Sequence, residues 1–300
     1  MNPAPRPDIL CIGSVLWDII GRAPVAMRPG SDVPGRITRL PGGVALNIAM
    51  TLGRFGLRVG LLSAVGQDAE GEDLVAHCRR LGLMTDWLYR SADLATDRYM
   101  AIEGANGLIA AVADAHSLEA AGPRILTPLQ DGRLADGSAP WTGPVALDGN
   151  LSAALLADIA GSALFAQSDL RVAPASPGKA ERLRPLMTHP RATLYVNLEE
   201  AGLLCQTRFD AAPEAAAALI ARGARRVLVT DGGRPCADGL AGQDIVTATP
   251  PAVLVTRVTG AGDTFMAGHL LAERRGADRS AALQAALAAA ATHISGDIGS

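Results

Sequence analysis

Lysine is almost absent from this chain: of 27 basic residues, 26 are arginine and only Lys179 is lysine. Aromatic residues are scarce too, at 3%. The arginine bias accompanies abundant alanine and reflects composition before physics, but it makes the one lysine worth following. There is no excess of basic charge, since 27 Lys+Arg against 30 Asp+Glu leave a formal net charge of −3. A nucleic-acid polymer is therefore not an expected partner, because such proteins carry a basic footprint. No apolar run reaches the ~18 residues of a membrane span, and the proline-rich Met1–Asp8 has no apolar signal-peptide core. No membrane partner is expected, and the expected location is cytoplasmic. The four cysteines, Cys11, Cys78, Cys205 and Cys236, lie far apart with neither a CxxC pair nor a nearby histidine cluster. That argues against a structural zinc site and a disulfide framework, and free, partly buried thiols are the expectation.

What is present is a 300-residue chain that is 49% hydrophobic. It is long and apolar enough to bury a large core. One α/β domain over residues 1–300 is the expectation. Ile9–Gly13, Val59–Val65, Val145–Leu147, Arg171–Ala173, Thr193–Val196, Arg226–Thr230 and Ala252–Val255 read as buried strands. Helical periodicity covers Val44–Phe55, Gly71–Leu81, 151–160, 178–187, Ala211–Arg222, Thr264–Arg275 and Arg279–Ser295. This alternation predicts a mainly parallel sheet with helices on both faces. Gly35–Leu40 and 16–20 read as further strands, and Asn106-Gly107 joins Asp97–Ile102 to Gly107–Ala113 as a hairpin. Segments near 15–40 and 95–114 thus predict a small sheet outside the main one, packed over it or against a second copy. A homodimer through this sheet is expected. Residues 120–143 read as loop.

The sharpest chemical signal is Val258-Thr259-Gly260-Ala261-Gly262-Asp263-Thr264-Phe265 ahead of an apolar helix. Glycines at a helix start let backbone N–H groups approach an anion, and the helix dipole adds attraction. An aspartate directly after them can take a proton from a hydroxyl attacking phosphorus. The plain alternative is an aspartate capping a tight turn.

Here the chain resembles the PfkB, or ribokinase-like, family of carbohydrate kinases. Gly42-Gly43-Val44-Ala45-Leu46-Asn47-Ile48-Ala49 is similar to the family's GGxxxNxA signature, and Thr259–Asp263 with Phe265 and Gly268 to its second. The resemblance covers essentially the whole chain. It implies a three-layer α/β/α fold with a small β-sheet lid, and ATP-dependent transfer of a phosphoryl group to a sugar hydroxyl. Carried over by residue, Asp263 is the catalytic base, and Gly260, Ala261 and Gly262 form the anion hole. Asp18 grips the sugar hydroxyls, with Gly42, Gly43 and Asn47 beside it. Asn197-Leu198-Glu199-Glu200 resembles the NxxE element that holds the magnesium-bound water network, with Glu200 preferred over Glu199 on spacing. One carboxylate suffices for a heavily hydrated Mg2+. Thr230-Asp231-Gly232-Gly233 resembles the nucleotide-binding loop, implicating Thr230, Gly232 and Gly233 beside Asn197. Two departures stand out. Arg257 occupies a position where the family often has an acidic residue that helps bind a monovalent cation, so potassium activation is not carried over. Asp148-Gly149-Asn150 resembles the family's Asp-Pro-Asn-x-Arg element without its arginine.

Within the family, the V-T-G-A-G-D form, the segment Thr96–Ile102 followed by Ala111–Asp114, and Ser176-Pro177-Gly178-Lys179 resemble the pseudouridine kinase branch. This implies Thr96 and Tyr99 at the substrate, the 5′-hydroxyl of a ribosyl group as nucleophile, and Lys179 near the nucleotide. Another nucleoside, ribose or a ketohexose remains open as substrate, as does a catalytically silent sugar- or nucleoside-binding sensor. Gly42–Ala49 argues against a pyridoxal or hydroxymethylpyrimidine kinase.

Overall fold

A computed structural model describes residues 6–254 and 259–296. In chain order the strands and helices begin with β1 (Ile9–Ile12), β2 (Leu16–Arg22), β3 (Arg36–Gly42), α1 (Val44–Arg54), β4 (Val59–Leu62), β5 (Ala64–Gly66), α2 (Ala69–Arg80) and β6 (Tyr89–Ser91). Next come β7 (Arg98–Gly104), β8 (Gly107–Asp114), α3 (Ser117–Ala121), β9 (Pro144–Asp148), α4 (Ala153–Gly161), β10 (Asp169–Ala173), α5 (Arg184–Met187) and β11 (Ala192–Asn197). The chain closes with α6 (Leu198–Cys205), α7 (Ala212–Ala221), β12 (Arg226–Asp231), β13 (Arg234–Leu240), β14 (Val246–Ala248), α8 (Ala261–Arg274) and α9 (Arg279–Ser295).

The main sheet runs β14-β13-β12-β11-β10-β9-β1-β4. Pairing is parallel from β12 to β4 and antiparallel among β12, β13 and β14. Its strands are continuous apolar runs because both faces are covered. Period-two alternation sends Leu10, Leu147, Leu194 and Val227 to one core with α3 to α7. Cys11, Ala146, Tyr195 and Leu228 go to the other, with α1, α2, α8 and α9. The result is the expected three-layer α/β/α architecture, and the four cysteines are buried and free.

A separate sheet, β3-β2-β7-β8, stands beside the main one. The Asn106-Gly107 turn closes its hairpin, with Gly107 at φ 96°. Asn106 Oδ1 accepts a hydrogen bond from the Met27 N–H at 2.9 Å, tying the turn to the loop after β2. Among the described residues no helix is long and apolar enough to cross a membrane.

Some local expectations are corrected. The run Val59–Val65 is two strands, since β5 leaves the main sheet after Ser63 to pair with β6. The helix expected over 178–187 is a 3-10 helix, Pro177–Leu183, followed by the short α5. The stretch 120–143 holds a 3-10 helix, Gly122–Leu129, whose Ile125, Leu126 and Leu129 are buried in the core. Ala252–Leu254 forms no strand, and Val255, Arg257 and Val258 lie outside the described residues.

Candidate active site

A cleft of about 790 Å³ opens between the small sheet and the ends of β9, β10, β11 and β12. Ligands of open α/β sheets bind at the carboxyl ends of the strands for a geometric reason: the connecting loops and helix N-termini converge there. One wall is the N-terminus of α8, capped by Gly260 at φ 82°, with Ala261, Gly262 and Asp263 in its first turn. The earliest N–H groups of a helix have no intrahelical acceptor and face an anion favourably. His293 Nε2, from α9, lies 2.8 Å from the Thr259 carbonyl oxygen, bracing the turn that precedes them.

Asp263 is half-buried in the cleft. Asn47 Nδ2, from the first turn of α1, donates to Asp263 Oδ2 at 2.9 Å. Burial pushes the Asp263 carboxyl up to about 7; the Asn47 hydrogen bond opposes this, and the negative charges of Asp148 and Asp18 add to it. That is the range in which a carboxylate works as a general base near neutral pH.

Asp18 sits on β2 across from Tyr99 of β7, its register partner. Burial raises its carboxyl to about 6. The glycine pair is explained by close approach. A Cβ on Gly42 would lie 2.0 Å from Asp18 Oδ2, and one on Gly43 would lie 2.5 Å from the Ser14 carbonyl oxygen. Gly43 also takes φ 98°, which side chains rarely adopt. Tyr99 lines the cleft, and its hydroxyl is shifted up by burial and by the charges of Asp18 and Glu103.

At the other end, Asn197 and Glu200 form a capping box on α6: Asn197 Oδ1 accepts the Glu200 N–H, and Glu200 Oε2 accepts the Asn197 N–H, both at 2.8 Å. Glu200 is 7% exposed, and burial lifts its carboxyl to about 7. Lys179 lines the cleft between these groups, its Nζ donating to Asn150 Oδ1 at 2.6 Å. Thr230 and Asn197 border both this cleft and a second cavity of about 900 Å³, which Gly232 also lines.

The structure thus brings together Asp18, Gly43, Asn47, Tyr99, Lys179, Asn197, Glu200, Thr230, Gly260, Ala261, Gly262 and Asp263 on one cleft. Gly42 backs Asp18 from behind. Two expected residues do not line the cleft. Thr96 is 3% exposed and away from it, its hydroxyl and N–H both bound to the Asp68 carboxylate at the start of α2. Gly233 borders neither cavity and lies in the β12–β13 turn. The sequence reading assigned no role to Ser14, Asp148 or Asn150, although the polar Asp148-Gly149-Asn150 ending an apolar strand was the visible signal. Asp148 is fully buried and accepts from Ser14 N, Ser14 Oγ and Ala45 N, while Asn150 lines the cleft. Among the described residues no group of three or more His, Cys, Asp or Glu could hold a metal.

A helix N-terminus, a half-buried carboxylate beside it and a second carboxylate on the facing sheet share one cleft, groups of the kind that phosphoryl transfer to a hydroxyl requires. The chain belongs to the pfkB family of carbohydrate kinases, whose sequence profile matches residues 6–296. It is 30% identical over 269 residues to pseudouridine kinase of Escherichia coli K12, covering 87% of this chain and 82% of that one. It is 29% identical over 294 residues to YeiI, an uncharacterized sugar kinase of the same organism, covering 96% and 78%. A carbohydrate kinase from Agrobacterium tumefaciens superposes with a TM-score of 0.78 at 26% identity, over 94% of this chain and 89% of that one. Arabidopsis thaliana ribokinase, complexed with ribose and ATP, shares the fold with a TM-score of 0.79 at 21% identity, over 98% and 94%. The chain is therefore a sugar or nucleoside kinase.

Proposed function

We propose that this kinase transfers the γ-phosphoryl group of ATP to the 5′-hydroxyl of a ribosyl substrate, with pseudouridine as the leading candidate. The observation that carries the reading is Asp263: a half-buried carboxylate raised to about 7, bound by Asn47, in the first turn of α8. Asp263 accepts the hydroxyl proton as that oxygen forms its bond to the γ-phosphorus. The bond to the bridging oxygen breaks and ADP leaves with the electron pair. The N–H groups of Gly260, Ala261 and Gly262 stabilise charge on the phosphoryl oxygens. Asp18 holds neighbouring sugar hydroxyls, each accepted as a charge-assisted hydrogen bond.

Lys179, Asn197, Thr230 and Gly232 form the nucleotide side in this reading. Glu200 fits the magnesium role: Oε2 is used in the capping box, and a hydrated Mg2+ needs few direct protein ligands. The ion would neutralise charge on the phosphate oxygens.

The charge of the cleft supports a neutral acceptor. Asp18, Glu103, Glu200 and Asp263 line it, and among its described lining residues Lys179 is the only cation. A sugar acid or sugar phosphate would meet net repulsion. Beyond Asp18, the small sheet offers Ile20, Tyr99, Ala101 and Ala113, a surface suited to the flat face of a nucleobase. The similarity to pseudouridine kinase points the same way. A panel of nucleosides, ribose and ketohexoses in a coupled ADP assay tests the assignment. The highest kcat/KM is expected for pseudouridine; a preference for a free sugar would replace it.

The same sheet supports a homodimer. Ile37, Met100 and Val112 are 77%, 47% and 66% exposed, on the face turned away from Asp18 and Tyr99. A second copy packed there would cover an apolar surface and shield the edge strands β3 and β8.

A further inference from the structure

Asp148 and Asn150 link the one lysine of the chain to the start of α1, the helix that carries Asn47. Asp148 Oδ2 accepts from Ser14 N at 2.8 Å, Ser14 Oγ at 2.5 Å and Ala45 N at 3.2 Å, while its Oδ1 accepts the Asn150 N–H at 2.7 Å. Ser14 Oγ also accepts from Val44 N at 2.9 Å and from Asn150 Nδ2 at 3.0 Å. A hydroxyl has one donor and two lone pairs, so Ser14 is saturated. Asn150 cannot turn without leaving a polar atom of this cluster unpaired, which costs free energy in a buried setting.

The opposite end of the Asn150 amide meets Lys179, whose Nζ donates to Oδ1 at 2.6 Å. An ammonium group has three donors, and this bond uses one. Val44 and Ala45 open α1, and Asn47, in the same first turn, holds Asp263. Hydrogen bonds and helix backbone therefore run unbroken from the cleft's cation to its base.

We propose that Asn150 is a positioning residue that transmits occupancy of the nucleotide side, through Lys179 and Ser14, to the start of α1 and thereby to Asn47. The inference rests on the kinase reading in placing phosphate groups near Lys179. With a triphosphate present, the remaining Lys179 donors bind its oxygens. That fixes the ammonium, and with it Asn150, Ser14 and the Val44 and Ala45 N–H groups. The first turn of α1, with Asn47, is then set before the acceptor arrives.

The test is hydrogen–deuterium exchange of the full chain with Mg2+ and the nonhydrolysable ATP analogue AMP-PNP, without acceptor, and with nucleotide binding followed separately by calorimetry. Saturating nucleotide is expected to slow exchange in the peptide covering Val44–Asn47 by about fivefold or more, the lower range of ordinary coupling between sites. Asn150→Asp keeps the shape and the acceptor for Lys179 but removes the donor to Ser14; it should bind AMP-PNP and lose the slowing. Asn150→Ala should do the same, so that failure of either variant to fold leaves the other as the test. A purely structural Asn150 would alter exchange equally with and without nucleotide. Wild-type binding with no slowing, or undiminished slowing in the variants, overturns the inference and leaves the kinase reading standing. Absence of AMP-PNP binding to the wild type overturns both.

Discussion

In the proposed mechanism Asp263 meets two demands at once, since the burial that makes its carboxyl hold a proton near neutrality would also make it an effective base. With its carboxyl raised to about 7, the acid limb of kcat/KM is expected near that pH. The Asn47 donor favours the charged form, so Asn47→Ala should move this limb to higher pH. Asp18 contributes a like charge, so Asp18→Asn should move it lower while weakening acceptor binding. A pH–rate profile of each variant checks both signs. There is a stability counterpart. The folded chain holds the Asp263 proton more tightly than the ordinary 3.8, so the stability tied to it is fully present below that pH and is lost as pH rises through about 7. Asp263→Asn stays neutral and should melt above the wild type at pH 8, with the difference shrinking at acid pH. At this scale the sequence was legible where a polar residue or glycine interrupts an apolar pattern, as at Asp18, Gly43, Asn47 and Asp263. Thr96 lies off the cleft, and its spacing from Tyr99 says nothing of Asp68, the residue capping α2, which claims both its hydroxyl and its N–H.

At the scale of elements, β3, α1 and α8 must meet with little slack. A methyl group on Gly42 would overlap the Asp18 carboxylate, with Cβ 2.0 Å from Oδ2. Gly42→Ala should raise the acceptor KM by about tenfold or more through displacement of that carboxylate, with little change in the KM for ATP. Initial rates at varied acceptor and ATP separate the two. The far end of α8 is fixed by charge. Glu273 pairs with Arg171 at 2.5 Å and with Arg226, both largely buried, and their charges hold its carboxyl down near 2 despite burial. Glu273→Ala takes one of two carboxylate partners from each guanidinium, since Arg171 keeps Asp169 and Arg226 keeps Asp238, and should cost about 1–3 kcal/mol in denaturant unfolding. Period and punctuation made most helices and parallel strands readable. They failed at β13 and β14, whose residues do not alternate cleanly and whose pairing depends on β12 as a template. They failed again at the 3-10 helix Gly122–Leu129, where Pro123 and Pro128 masked a buried turn.

At the scale of the whole molecule, the division into a large parallel sheet and a small separate one was legible in the strand–helix alternation and in the segments near 15–40 and 95–114. The cleft between them was not, because Asn47 and Asp263 meet across 216 positions. The apolar outer face of the small sheet predicts a dimer by sedimentation at micromolar concentration; Ile37→Asp with Val112→Asp should yield a monomer that remains folded. The central claim is that Asp263 is the base of an alcohol phosphotransferase. Its most direct measurement is single-turnover phosphoryl transfer from ATP by Asp263→Asn beside the wild type, with ATP binding followed by calorimetry. The account predicts a loss of about 10²–10⁴-fold in the transfer rate with ATP affinity largely kept. Near-normal transfer by the variant would contradict it.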